Sequence, residues 1–193
     1  MPLLDRMRER LRFPADRTDM GGKDSTVFPP ASATQVAAAE AALGFQLPAL
    51  LREIYMTVAN GGFGPGCGLL GLQGGKTFHS GRQEWNAVEL YHSFRRYPTR
   101  HERWGEKLLP ICHWGCSYFS YIDCALPSAP VLALDENSHG HGPWGCAFGL
   151  HAISFEEWMQ RWINGEDLWK SFNAVGEPIF WFEEHPVAND NTQ

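Results

Sequence analysis

Apolar positions along this chain recur at two spacings, three to four residues and two residues, and the switches between them mark its elements. Residues 1–31 are charged at first and then rich in Gly, Asp and Pro (RTDMGGKDSTVFPP), which predicts a short N-terminal helix and an irregular linker outside the core. A folded domain is expected over 32–183, with a flexible tail at 184–193. It opens with an Ala-rich helix over Ala33–Leu43, capped by Ser32 or Thr34 and stopped by Gly44. Pro48 starts a second helix, whose apolar face is Leu50, Leu51, Ile54, Tyr55 and Val58, and Asn60-Gly61-Gly62 ends it. Gly68–Gln73 (GLLGLQ) is expected as a short strand. Glu84–Arg95 is expected as a third helix burying Trp85, Val88 and Tyr91. The runs Leu108–Cys112, Tyr118–Ile122 and Val131–Leu134 have strand composition and are bounded by Pro, Gly and Asp. In the last helix, Ser154 and Glu157 have capping-box spacing, Phe155, Trp158, Met159, Trp162 and Ile163 share one face, and Gly165 terminates it. Pro178–Phe182 has the composition of an edge strand.

Helices, then strands, then a helix is an α+β order, without the strand–helix alternation of a parallel sheet. Nucleotide-binding doubly wound folds are therefore disfavoured. The segment GGFGPGCG lacks the Lys and the following helix of a phosphate-binding loop.

Six short features occur in a fixed order: Leu43-Gly44, Leu47-Pro48, Asn60-Gly61-Gly62, Pro110-Ile111, Gly115-Cys116 and Asp123. In that order they resemble the SUKH superfamily of bacterial toxin-immunity proteins and fungal cell-wall-assembly regulators, over about Val36 to Ile163. The resemblance implies a bent antiparallel β-sheet with helices at one face and side. It further implies a non-catalytic binding role, in bacteria the neutralisation of a polymorphic toxin of nuclease or deaminase type. A regulatory scaffold without a toxin partner is the alternative the fungal relatives suggest. The superfamily carries no catalytic residues, so none transfer. The N-terminal segment and the His- and Gly-rich stretch Asn137–Gly149 depart from the pattern.

Charge adds a location. From Asp123 onward eleven Asp and Glu face only Arg161 and Lys170, a local balance of −9 within a net charge of −6. The preceding part balances at +3, with arginines concentrated at Arg6, Arg8, Arg10, Arg12 and Arg17 and again at Arg95, Arg96, Arg100 and Arg103. An acidic region repels nucleic acid and attracts a basic protein partner. Asp135, Glu136, Glu166 and Asp167 are the candidate contacts, together with the aromatic residues Trp114, Tyr118 and Tyr121, because outward rings on strands are typical hot spots. No apolar run is long enough to span a membrane and the first residues lack a signal-peptide core, so a cytoplasmic protein without membrane contact is expected. Five cysteines in a chain of this size suit reduced thiols.

Two enzymatic alternatives, a zinc hydrolase and a thiol hydrolase, deserve weighing. Cys112, His113, Cys116, Cys124, His139, His141 and Cys146 have zinc-ligand chemistry, but Cys112-x3-Cys116 is not knuckle spacing, and no metal or other cofactor is expected. A thiol activated by His113 or His151 has no orienting acid in sequence. The pairs Glu156-Glu157 and Glu183-Glu184 are neighbours that do not share a helix face. Asn60, Gly61, Gly62 and Asp123 have a structural explanation, the glycines and Asn60 in positive-φ turns and Asp123 as an acceptor of backbone N–H groups at a strand end.

Overall fold

The structure is a computed structural model, and it describes residues 1–20, 26–96, 106–136 and 148–173. Among these, the helices are α1 (Leu3–Leu11), α2 (Ala33–Leu43), α3 (Ala49–Thr57), α4 (Ala87–Arg95), α5 (Phe155–Ile163) and α6 (Leu168–Asn173). The strands are β1 (Phe78–Ser80), β2 (Gln83–Trp85), β3 (Leu108–Gly115), β4 (Tyr118–Asp123), β5 (Val131–Asp135) and β6 (Phe148–Ala152). β1 and β2 form a hairpin, and β3-β4-β5-β6 is an antiparallel meander. The α+β class expected from the element order holds. The strand register shifts at Pro110/Cys112, His113/Gly115 and Val131/Leu132, the kind of irregularity that bends a strand.

Local chemistry places several helix ends where the sequence predicts them. Ser32 Oγ accepts from Gln35 N, while Gln35 Oε1 accepts from Ser32 N, and Gly44 closes α2 in the left-handed region at φ 78°. Pro48 is the residue before α3. Ser154 Oγ caps Glu157 N at the start of α5, but the Glu157 carboxylate reaches back to Ile153 N, one residue earlier than a capping box requires.

The sheet is covered on both sides. Phe119 and Tyr121 meet Phe94 of α4, whereas Tyr118, one residue out of phase, meets Trp169 and Phe172 of α6. Strands buried on both faces read as continuous apolar runs, and Val131–Leu134 is entirely buried. Pro110 is tolerated inside β3 because β3 is an outer strand of the meander.

Four expectations need correction. Gly68–Gln73 is not a strand: only Leu69 bridges to Cys112, because Gly68 sits at φ 91° and Asn60 Oδ1 takes Leu72 N at 2.7 Å, turning the chain away. The third helix begins at Ala87, not Glu84. Asn86 accepts from Val88 N and Glu89 N as its cap, and Gln83–Trp85 pairs with Phe78–Ser80 instead. Trp85 thereby stacks on Phe78 rather than lying on a helix, and Val88 is only half-buried. The N-terminal segment is not outside the core, since Met7 of α1 is fully buried in it. Strand β6 and helix α6 are additions that the apolar pattern did not reveal. The expected strand Pro178–Phe182 and the tail 184–193 lie outside the described residues.

The arginines of α1 explain why it joins the core. Arg10 Nη1 donates to Trp162 O at 2.5 Å, and its guanidinium lies 4.4 Å from the Trp162 ring centroid. Arg6 donates to Asn164 Oδ1 at 2.6 Å and Arg8 to Thr57 O at 3.2 Å. Arg10 and Arg8 thus satisfy last carbonyls of α5 and α3, where a helix presents unpaired acceptors and the negative end of its dipole, while Arg6 holds the side chain of the α5 C-cap residue Asn164. Residues 17–20 then lie along the glycine-rich loop: Gly64 N donates to Arg17 O and Met20 N to Gly66 O.

Candidate functional site

The Asn-Gly-Gly stop is structural. Gly61 and Gly62 have φ 83° and 88°, and a Cβ on Gly62 would stand 1.9 Å from Thr26 O. Asn60 is not at positive φ as expected; it is buried, its carboxamide donating to Gln73 O and accepting from Leu72 N, so side-chain hydrogen bonds and not backbone conformation explain it. Asp123 behaves as its position suggested, accepting Ala125 N at 2.8 Å where β4 ends.

The aromatic candidates separate into two groups. Trp114 is 1% exposed and donates through Nε1 to Ser120 Oγ at 2.8 Å, and Tyr121 is fully buried between Phe94 and Phe148. Both are core residues with no surface to offer a partner, because the sheet has helices on both faces. Tyr118 differs. It is half-buried, edge-on to Trp169 at 5.3 Å and to Phe172 at 5.6 Å, and directly opposite Asp135 in the sheet register.

Of the candidate carboxylates, Asp135 lies opposite Tyr118 in the sheet. Asp135 accepts from Ser117 Oγ at 3.1 Å, and the Glu136 amide donates to Ser117 O. Asp167 accepts from Lys170 N at the start of α6, with the Lys170 ammonium 3.4 Å away. Asp19, held against Gly66 N at 3.3 Å, is pushed up to about 6, first by loss of water around its carboxylate and also by Asp167, with Arg10 opposing. Glu166 is committed elsewhere: both its oxygens accept from Arg161 Nε at 3.0 Å, which lowers its pKa. Sequence reasoning passed over Trp169 and Phe172. Their signal was Asp167 followed by Leu168-Trp169-x-x-Phe172, a cap and then apolar residues at helical spacing.

Beneath this surface sits His151, 5% exposed, among the rings of Trp114, Trp158 and Phe172. Trp158 Nε1 has only a proton to give and lies 3.2 Å from His151 Nδ1, so Nδ1 is the acceptor. The ring proton therefore sits on Nε2, 3.2 Å from Leu168 O and from Ser171 Oγ of α6. Burial lowers the imidazole pKa to about 4, with the Leu168 carbonyl opposing and Arg161 adding to the drop, so the ring is neutral at pH 7. His151 is a clasp between α5, β6 and α6, and its ring contacts are with tryptophan, carbonyl and hydroxyl groups rather than a thiol.

The thiol and imidazole candidates do not assemble. Cys112 is fully buried, its thiol raised by desolvation and donating to Pro65 O, and burial raises Cys124 likewise. His113 Nε2 faces Cys116 O at 3.2 Å, and burial lowers its pKa. Among the described residues no group of three His, Cys, Asp or Glu side chains is placed to hold a metal. His139, His141, Cys146, Glu183 and Glu184 lie outside the described residues. Among the described residues, no helix is long and apolar enough to cross a membrane.

A four-stranded meander clasped between α4 and the pair α5–α6, entered through an Asn-Gly-Gly stop, defines an α+β domain of the SUKH type. A model of the SMI1 / KNR4 family (SUKH-1) matches residues 30–173, and the chain belongs to that family. A comparison with curated proteins found no match. The matched span includes α6 and excludes the arginine helix α1.

Proposed function

We propose that this chain is a non-catalytic binding module of the cytoplasm that neutralises a toxin domain, of nuclease or deaminase type, by direct contact. The observation that carries this reading is the pair of half-buried rings, Tyr118 and Trp169, set edge-to-face, with Asp135 opposite Tyr118 in the sheet, Glu136 following it in the chain and Asp167 two residues before Trp169. Rigid aromatic anchors lose little entropy on binding, and a rim of carboxylates speeds encounter with a basic surface and rejects acidic ones. Active sites that bind nucleic acid are basic, which suits them to this rim. Trp114, Tyr121 and Glu166 leave the candidate set, the first two because they are core and the third because Arg161 occupies it.

Co-expression with the toxin domain encoded beside this gene tests the proposal. Protection of growth and recovery of a one-to-one complex are expected. Trp169→Ala, checked for retained folding, should weaken the complex by a factor of ten or more, about 2 kcal/mol for a central aromatic. Absence of binding and of protection by the wild-type chain overturns the proposal.

A further inference from the structure

On the side of the sheet away from α6, α2 and the start of α4 enclose a groove of about 190 Å³. Its apolar wall is Ala38, Ala39 and Ala42 of α2 with Val88 of α4, and its polar end is Asn86 and Glu89. Ala38 and Ala42 are exposed, so their small side chains leave the space open. A groove of this size is below the ~300–1,000 Å³ typical of small-molecule sites and suits one long side chain.

The chemistry at the polar end is incomplete. Asn86 is only 8% exposed, and its Oδ1 already accepts from Val88 N and Glu89 N. Asn86 lines the groove, and its Nδ2 donates to no acceptor among the described residues. The amide nitrogen stays accessible to water and is free to donate to an incoming acceptor. Glu89 spends Oε2 on Asn86 N at 2.9 Å, and no cation among the described residues pairs with its exposed carboxylate. A wall of methyl groups, a carboxylate without a cation and a free N–H donor describe a complement to a long cationic side chain and its own peptide carbonyl.

We infer that the α2–α4 groove is a second docking site, which receives one arginine or lysine side chain from an extended segment of a basic protein partner. The stem lies along Ala38 and Ala42, the cation meets Glu89, and the adjoining carbonyl accepts from Asn86. This site stands independently of the Tyr118–Trp169 surface, because α4 and α6 cover opposite faces of the sheet.

The test needs no knowledge of the partner. N-acetyl-arginine N-methylamide is titrated into the 15N-labelled full chain, and the Asn86 side-chain amide and the Val88 and Glu89 backbone amides are followed. Saturable shifts at these three positions, weaker by about tenfold or more with the uncharged N-acetyl-norleucine analogue, are expected. Three variants then dissect the site without removing the helix cap. Glu89→Gln keeps the capping-box bond and deletes the charge, Asn86→Ser keeps a capping oxygen and deletes the amide donor, and Ala42→Leu fills the groove at an exposed helical position. Each should cut affinity about tenfold with the fold intact by circular dichroism. No shift with the arginine probe overturns the inference, and so does a shift that survives Ala42→Leu, which would mark an ion pair on the open surface. Either failure leaves the toxin-protection test unaffected.

Discussion

Helices α1 and α6 both brace α5 and the core beside it, and they do so by opposite means. α1 uses charge: Arg10 and Arg6 end on Trp162 O and Asn164 Oδ1, with only Met7 fully buried from the helix itself. α6 uses neutral contacts: Trp169 and Phe172 pack against Trp114 and edge-on to Tyr118, and the uncharged His151 bridges to Leu168 O. A guanidinium stays charged at any pH a protein survives, so the α1 brace does not titrate. An imidazole held neutral by burial does, and the α6 brace is conditional on pH.

The largest effect should come from the buried anchor of the charged brace. Met7→Ala removes the one side chain of α1 that is fully in the core and should cost about 2–4 kcal/mol, read from the urea midpoint at constant slope. A loss below about 1 kcal/mol would mean that α1 is held by its arginines alone.

The neutral brace should show itself as a pH slope. His151 titrates near 6.5 when unfolded and at about 4 when folded, so between these values the unfolded chain binds the extra proton. The stability it contributes is complete above pH 6.5 and is lost as pH falls towards 4, by about 3 kcal/mol at most. Asp19, raised to about 6, titrates with the opposite sign over part of that window, so the informative quantity is the difference between wild type and His151→Gln. The variant should be less stable at pH 7, and its stability deficit relative to wild type should shrink as pH falls from 6.5 to 4. Parallel profiles would mean that His151 is not the titrating clasp.

The smallest effect is expected where an exposed ion pair alone is cut. Glu166→Gln removes the carboxylate from Arg161 but leaves Arg161 Nη1 on His151 O at 3.0 Å, so the cost should stay below about 1 kcal/mol. A thermal shift larger than a few degrees would show that Arg161 needs Glu166 to hold the clasp.

These braces also show which features could be read from the sequence. Ser32 with Gln35, Gly44, Ser154 with Glu157 and Asp123 with Ala125 all act within four residues, so residue type and spacing were sufficient. Helix α6 had a legible cap and apolar spacing but is too short to stand out from a loop. Asn86 was read as helix interior, although asparagine prefers the cap that it makes here. The surface was legible in part: Asp135, Glu136 and Asp167 flank it, but its second ring, Trp169, comes from α6.

The sequence alone determined the α+β order, the positions of α2, α3 and α5, and strands β3, β4 and β5, because periodicity and local hydrogen bonds act over a few residues. Only the tertiary structure decided what the charges and rings do. The N-terminal arginines look like a basic surface patch, yet Arg6 and Arg10 close helix ends more than 150 residues away. Trp114 and Tyr121 alternate with Tyr118 as an exposed set would, yet only Tyr118 keeps a surface, because helices cover the sheet from both sides. Burial and charge neutralisation depend on what the fold brings alongside a residue, and that partner can lie anywhere in the chain.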